Sequence, residues 1–159
     1  MDRDKDVQHT VARANLYVSL PHHFKGTHMS RFIEILNLRR GEMTIRTMPK
    51  LLEEIQNRLG AEDAHIELRF PYFISKKAPI SGVESLMEYQ ASFLASKRGG
   101  VVDFVLGVQV PVKSLCPCSK SISEYGAHNQ RSLVDVRVRS SDFVWIEDCL
   151  LYTSPSPRD

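Results

Sequence analysis

Midway along the chain the apolar residues pass from helical spacing to alternation, and that change narrows the possible folds more than any other feature. Met29, Phe32, Ile33 and Leu36 fall at i, i+3, i+4 and i+7, the stripe of an amphipathic helix that ends near Arg39-Arg40-Gly41. Thr47 can cap a second helix with the stripe Met48, Leu51, Leu52, Ile55 and Leu59, closed by Gly60. From there the period drops to two. Ile66 to Ile74 reads as a strand interrupted by Pro71, and Glu84 to Ser96 as another, although its composition would also suit a helix. After "KRGG", the residues Val102, Phe104, Leu106, Val108 and Val110 mark one face of a clean strand. Val134, Val136 and Val138 predict the buried side of a last strand, opposite Asp135, Arg137 and Arg139. A further strand is expected between Val7 and Leu20. Strand, helix, helix and then several strands predicts an α+β layer, with two helices packed on one face of an antiparallel sheet.

A chain of 159 residues with 42% hydrophobic content is sized for one domain with a real core. Its charges balance to +2, too mild for a nucleic-acid or membrane surface, so neither partner is expected. No window approaches the roughly 18 apolar residues of a membrane span, and "MDRDKDVQHT" is charged where a secretory signal would be apolar. Three cysteines, odd in number and unevenly placed, do not form a disulfide framework. The expectation is a soluble cytoplasmic protein whose thiols serve as ligands or nucleophiles. The end of the chain breaks the pattern: "CLLYTSPSPRD" resembles a translated sequencing adaptor. On that reading protein-coding information stops near Asp148, Cys149 is not a biological cysteine, and residues 149–159 make few contacts.

"LCPCSKSISEYGAHNQRS" at Leu115 to Ser132 carries the chemistry. Cys116 and His128 are good ligands for a borderline-soft divalent metal. The C-x-C spacing suits neither a zinc finger, which places two to four residues between paired cysteines, nor a thioredoxin-like pair. Two small buried residues in a turn, with His128 hydrogen-bonded, would also account for it. Ser119, Ser121, Ser123, Tyr125, Asn129, Gln130 and Arg131 tilt the balance, since so many polar groups around two thiols and an imidazole suit a polar ligand. His9 and His65, in expected strands, read as structural, and Met29, Phe32 and Leu36 as core.

"QHTVARANLYVSLPHHFKGTHMSRF" at Gln8 to Phe32 and "VPVKSLCPCSKSISEYGAHNQRSLVDVRVR" at Val110 to Arg139 are long, near-unbroken matches to one pattern. The chain resembles the type IB GTP cyclohydrolases from Gln8 to Asp148. The resemblance implies a tunnelling fold (T-fold), an antiparallel sheet with paired helices that assembles side by side into a barrel-like homo-oligomer, a tetramer in full-length members. It implies hydrolytic opening of the guanine ring of GTP, giving formate and 7,8-dihydroneopterin triphosphate, the first step towards folate and related pterins. A divalent metal, zinc or manganese with iron a further candidate, would activate the water. Cys116 matches the family's metal-binding catalytic thiol and His128 a histidine of the same centre, while Cys118 is not expected to be a ligand. His22, His23, Lys25, His28 and Arg31 match a motif loop entering a helix where a triphosphate could bind, although His22 and His23 read equally as a surface pair and Arg31 as a solvated residue, and Lys120, Gln130 and Arg131 are further substrate-binding candidates.

Family members carry two modules in tandem, and the second supplies a glutamate and another histidine to the metal, with a further acid anchoring the purine. The resemblance therefore reads residues 1–148 as the first module, shortened at both ends, followed by the adaptor-like tail at 149–159. Such a piece alone is expected to bind metal weakly and not to turn over GTP. A non-catalytic metal- or purine-binding module that serves in assembly is the alternative reading.

Overall fold

The computed structural model describes residues 8–23, 26, 28–38, 44, 46–78, 80–125, 127–140 and 142–153, the last three by backbone alone. The expected helix end at Arg39-Arg40-Gly41 lies outside them. In chain order the elements are β1 (Arg13–Ser19), α1 (Met29–Leu38), α2 (Met48–Leu59), β2 (Asp63–Lys77), β3 (Glu84–Arg98), β4 (Val101–Leu115), α3 (Pro117–Ile122), β5 (Asn129–Arg139) and α4 (Ile146–Thr153). The strands form one antiparallel sheet in the order β1-β2-β3-β4-β5. The α+β architecture with helices on one face is thus the one the spacing predicts.

Because side chains alternate along a strand, register assigns each residue to a face. Ala64, Ile66 and Leu68 of β2 and Ala95 of β3 lie under α1 and α2, in a core with Phe32, Ile35, Leu51, Leu52 and Ile55. The other end of the same face holds Tyr72, Tyr89, Ala91, Leu106, Val108 and Val110 beneath α4. Among the described residues no helix covers the opposite face, which carries polar ladders, among them Gln109 donating to Asp135 at 3.0 Å and Arg139 holding Asp103 through two nitrogens at 2.7 and 3.1 Å.

Local chemistry explains the joints. Gly99 and Gly100 take φ of 53° and 82°, as a two-residue hairpin turn between Arg98 and Val101 requires. Gly60 closes α2 in the left-handed region, φ 61°, its N–H donating to Gln56. Thr47 precedes α2 as expected but makes no side-chain cap. Its hydroxyl instead donates to the Thr44 carbonyl at 3.1 Å.

Four expectations change. Pro71 does not interrupt β2, because the β1 ladder ends at Arg13↔Arg69 and a residue without an N–H costs nothing just beyond it. There the Gln8 side-chain amide replaces a strand, exchanging hydrogen bonds of 2.8 Å with both backbone groups of Phe73. The buried face of α1 is rotated: Phe32 and Ile35 are buried, whereas Met29 and Ile33 are 72% and 58% exposed, so Met29 is not core. Val134 is 40% exposed and Val136 and Val138 half-buried, since β5 is an edge strand that no helix fully covers. Finally, Cys149 and Leu150 are not contact-poor. They sit in α4 at 8% and 1% exposure, because their apolar side chains fill the hollow that Tyr72, Tyr89 and Val110 leave open.

That hollow exists because the sheet divides. β3 leaves β4 after Gln90↔Gln109, while β2–β3 continues to Lys77↔Glu84 and β4–β5 to Leu115↔Asn129. α4 sits at the fork, fastened by the Tyr72 hydroxyl donating to the Glu147 carboxylate. Leu150→Ala should therefore cost about 2–5 kcal/mol in urea unfolding, like Leu52→Ala beneath α2. A cost for Leu150→Ala below about 1 kcal/mol, the level of an ordinary surface change, would show that α4 is not docked.

Candidate metal centre

The distal β4–β5 ribbon changes character rung by rung on its core-side face. Val108↔Val136 and Val110↔Val134 are apolar, Val112↔Ser132 is mixed, and Ser114↔Gln130 is polar. One step beyond the last pair, Leu115↔Asn129, the Cys116 N–H donates to the His128 carbonyl at 3.2 Å. Antiparallel pairing thus sets Cys116 and His128 opposite each other at the mouth of the connection, although twelve positions separate them. The two residues that the sequence nominates as ligands are brought together by the backbone itself.

Cys116 is also the N-cap of α3, with φ −72° and ψ 115°, and its carbonyl accepts from the Lys120 N–H at 3.1 Å. Ser, Thr, Asp or Asn would normally use its side chain at such a position. The Cys116 thiol makes no capping hydrogen bond. Cys116 is half-buried, whereas Cys118 and His128 are exposed. The His128 N–H donates to Ser119 Oγ at 3.3 Å, and Ser121 Oγ donates to the Cys118 carbonyl at 2.8 Å. The short helix that organises this loop is absent from the pattern reading, because six residues with no buried side chain leave no apolar period.

The remaining candidates divide into two groups. Lys120 is exposed on α3, Gln130 shares the core-side face with Cys116 and His128, and Arg131 stands on the opposite face across from Lys113. His22, His23, His28 and Arg31 belong to the other end of the sheet. They follow or enter elements beside Val18↔Ala64, whose row continues through Ala64↔Lys97 and Lys97↔Val102. From Val102 to Leu115 β4 spans about 40 Å at ~3.3 Å per residue, so one chain does not bring the two groups together. Arg31 moreover donates to the Arg58 carbonyl at the end of α2, at 3.4 Å. Lys25 lies outside the described residues.

Among the described residues no three of His, Cys, Asp and Glu cluster as a complete metal site. Glu147 is committed to Tyr72 in the core and adds no ligand to Cys116. Two concavities lie elsewhere, about 370 Å³ between His65, Asp103, Arg137 and Arg139, and about 520 Å³ between Arg46, Phe104, Asp142 and Phe143. Neither reaches Cys116 or His128, whose pair stands open at a ribbon end. His65 lies in β2 with its ring tilted against Tyr17 at 5.8 Å.

Fold and site together define a five-stranded α+β module with a thiol–imidazole pair at the foot of its last hairpin. The sequence model of the type I GTP cyclohydrolase FolE2 family matches residues 1–156. The GTP cyclohydrolase FolE2 of Geotalea uraniireducens is 61% identical over 150 residues, covering 94% of this chain and 55% of the relative. That of Syntrophotalea carbinolica is 62% identical over 150 residues (94% and 56%), and that of Magnetococcus marinus 60% over 147 (92% and 56%). The chain belongs to the type I GTP cyclohydrolase FolE2 family, and it spans little more than half the length of these curated relatives.

The three thiols are graded by environment. Burial, reinforced by Asp148, pushes the Cys149 thiol up from its ordinary range, and only the thiolate attacks. In the native, metal-free chain at neutral pH, Cys118 should react first with a disulfide reagent and Cys149 last, released only by denaturant. Cys149 reacting as fast as Cys118 without denaturant would contradict this packing.

Proposed function

We propose that the chain is the metal-binding module of a cytoplasmic GTP cyclohydrolase. The complete enzyme hydrolyses the imidazole ring of GTP, releasing formate and forming 7,8-dihydroneopterin triphosphate on the way to folate and related pterins. The observation that carries this reading is the pairing of Cys116 with His128 across the β4–β5 connection in a chain of this family. The donor set fits a divalent ion: a soft thiolate that caps no helix and an exposed imidazole suit zinc, with manganese and iron as alternatives. A catalytic zinc takes three protein ligands and a water. Cys116 and His128 would be two of them, and the third would come from the second module. An ion held there would make its bound water acidic enough to supply hydroxide at neutral pH.

The chain's own residues would divide the remaining work. Gln130, one rung before the pair on the same face, can offer its amide to the purine ring. Lys120 and Arg131, both exposed on either side of the pair, can offer cations to the triphosphate. Cys118, exposed and with its carbonyl held by Ser121, would not ligate. His22, His23, His28 and Arg31 would reach a substrate only at a site completed by another module or copy, and Lys25 of the same motif would join them there. That separation supports a homo-oligomer, a tetramer in the complete protein, with sheets side by side.

Joining residues 1–148 in frame to the C-terminal part of the Geotalea uraniireducens relative should give a chain that converts GTP, read as pterin absorbance and released formate. Cys116→Ala in it should abolish turnover with loss of bound metal, Cys118→Ala should leave measurable turnover, and residues 1–159 alone should give none. Equal loss in both variants at unchanged metal content would refute the assignment, as would turnover by residues 1–159 alone.

A further inference from the structure

We infer that Ser119 is a positioning residue that sets His128 opposite Cys116, so that the two side chains meet one metal ion. The inference rests on the reading of Cys116 and His128 as ligands. Among the described residues two hydrogen bonds hold the His128 backbone: its carbonyl accepts from the Cys116 N–H at 3.2 Å, and its own N–H donates to Ser119 Oγ at 3.3 Å. The first is a rung that almost any residue pair could form. The second needs a hydroxyl at one position of α3.

Burial cannot do this work. α3 has no buried side chain, and Ile122 and Tyr125 beside it are 89% and 96% exposed. Among the described residues of the loop between Ser123 and His128 none is an apolar core residue either. What fastens α3 to the hairpin is polar: Lys120 N–H to the Cys116 carbonyl at its start, and Ser119 across to His128. Ser119 is half-buried, while Cys118, Lys120 and Ser121 around it are exposed, as befits a side chain turned towards the hairpin. Without the hydroxyl, the Cys116 rung alone holds His128, and the imidazole's freedom must be given up when metal binds. Ser121 is the internal contrast, since its hydroxyl bonds within α3 and does not reach β5.

The test uses the whole chain with cobalt(II) as a zinc surrogate, reading the thiolate-to-cobalt absorption band, together with amide hydrogen exchange at His128 in the metal-free protein. Ser119→Ala should weaken cobalt binding about three- to tenfold, the size of one net hydrogen bond, and speed His128 exchange by a similar factor. Ser119→Thr should restore both, and Ser121→Ala should match wild type, with all variants melting alike. Unchanged His128 exchange in Ser119→Ala overturns the tether, and unchanged cobalt affinity overturns its role at the metal. Failure of Ser119→Thr to rescue, or an equal loss in Ser121→Ala, does so too. A wild-type chain that binds cobalt without a thiolate band overturns the metal reading itself, with the exchange result still deciding whether the tether exists.

Discussion

The register of β4 against β5 governs the site, and a slip of one residue would undo it. With Val108↔Val136 and Val110↔Val134 in place, the apolar residues of the ribbon face α4, and the pairing runs on until Cys116 meets His128. Moving β5 by one position would turn Val134, Val136 and Val138 to the uncovered face, bring Asp135 and Arg137 beneath the helix, and oppose Cys116 to Asn129 or Ala127. Core burial near the fork therefore fixes the backbone pairing of Cys116 with His128 some distance away. The candidate pair needs no dedicated scaffold, because a strand pair held in register by valines sets Cys116 opposite His128.

The same division of the sheet explains why the site is open. Beyond Gln90↔Gln109, β4–β5 runs on without β3 beside it, and α4 covers only the fork. Past Val112 the core-side face turns polar and no described element covers it, so Ser114, Gln130, Cys116 and His128 line a surface rather than a pocket.

Much of the fold was legible because the period of the apolar residues is a direct imprint of one-sided burial. α2 shows all five of its stripe residues buried, and Leu106, Val108 and Val110 of β4 are buried as their alternation predicts, while Val102 at its start is exposed. What escaped had other causes. Pro71 looked like a break because ladder ends cannot be seen in a sequence. Met29 and Ile33 fitted a stripe whose burial depends on how the whole helix rotates against the sheet. α3 is held by hydrogen bonds and leaves no apolar trace, and the packing of Cys149 and Leu150 depends on a fork in the sheet that only pairing reveals. At the site, the residue types suggested a soft metal but left a plain turn open, and the long motif resemblance singled out Cys116 and His128. That His22, His23, His28 and Arg31 stand at the other end of the sheet follows from topology alone.

Zinc K-edge X-ray absorption of the zinc-loaded chain asks the central question most directly, because it counts the sulfur ligands and detects imidazole. If the β4–β5 register makes Cys116 and His128 the ligands, the shell holds one sulfur near 2.3 Å and lighter atoms at about 2.0–2.2 Å, including an imidazole signature. A shell with two sulfurs, or one with a sulfur and no imidazole, would mean that the C-x-C pair or some other grouping binds the metal, and the account would fail.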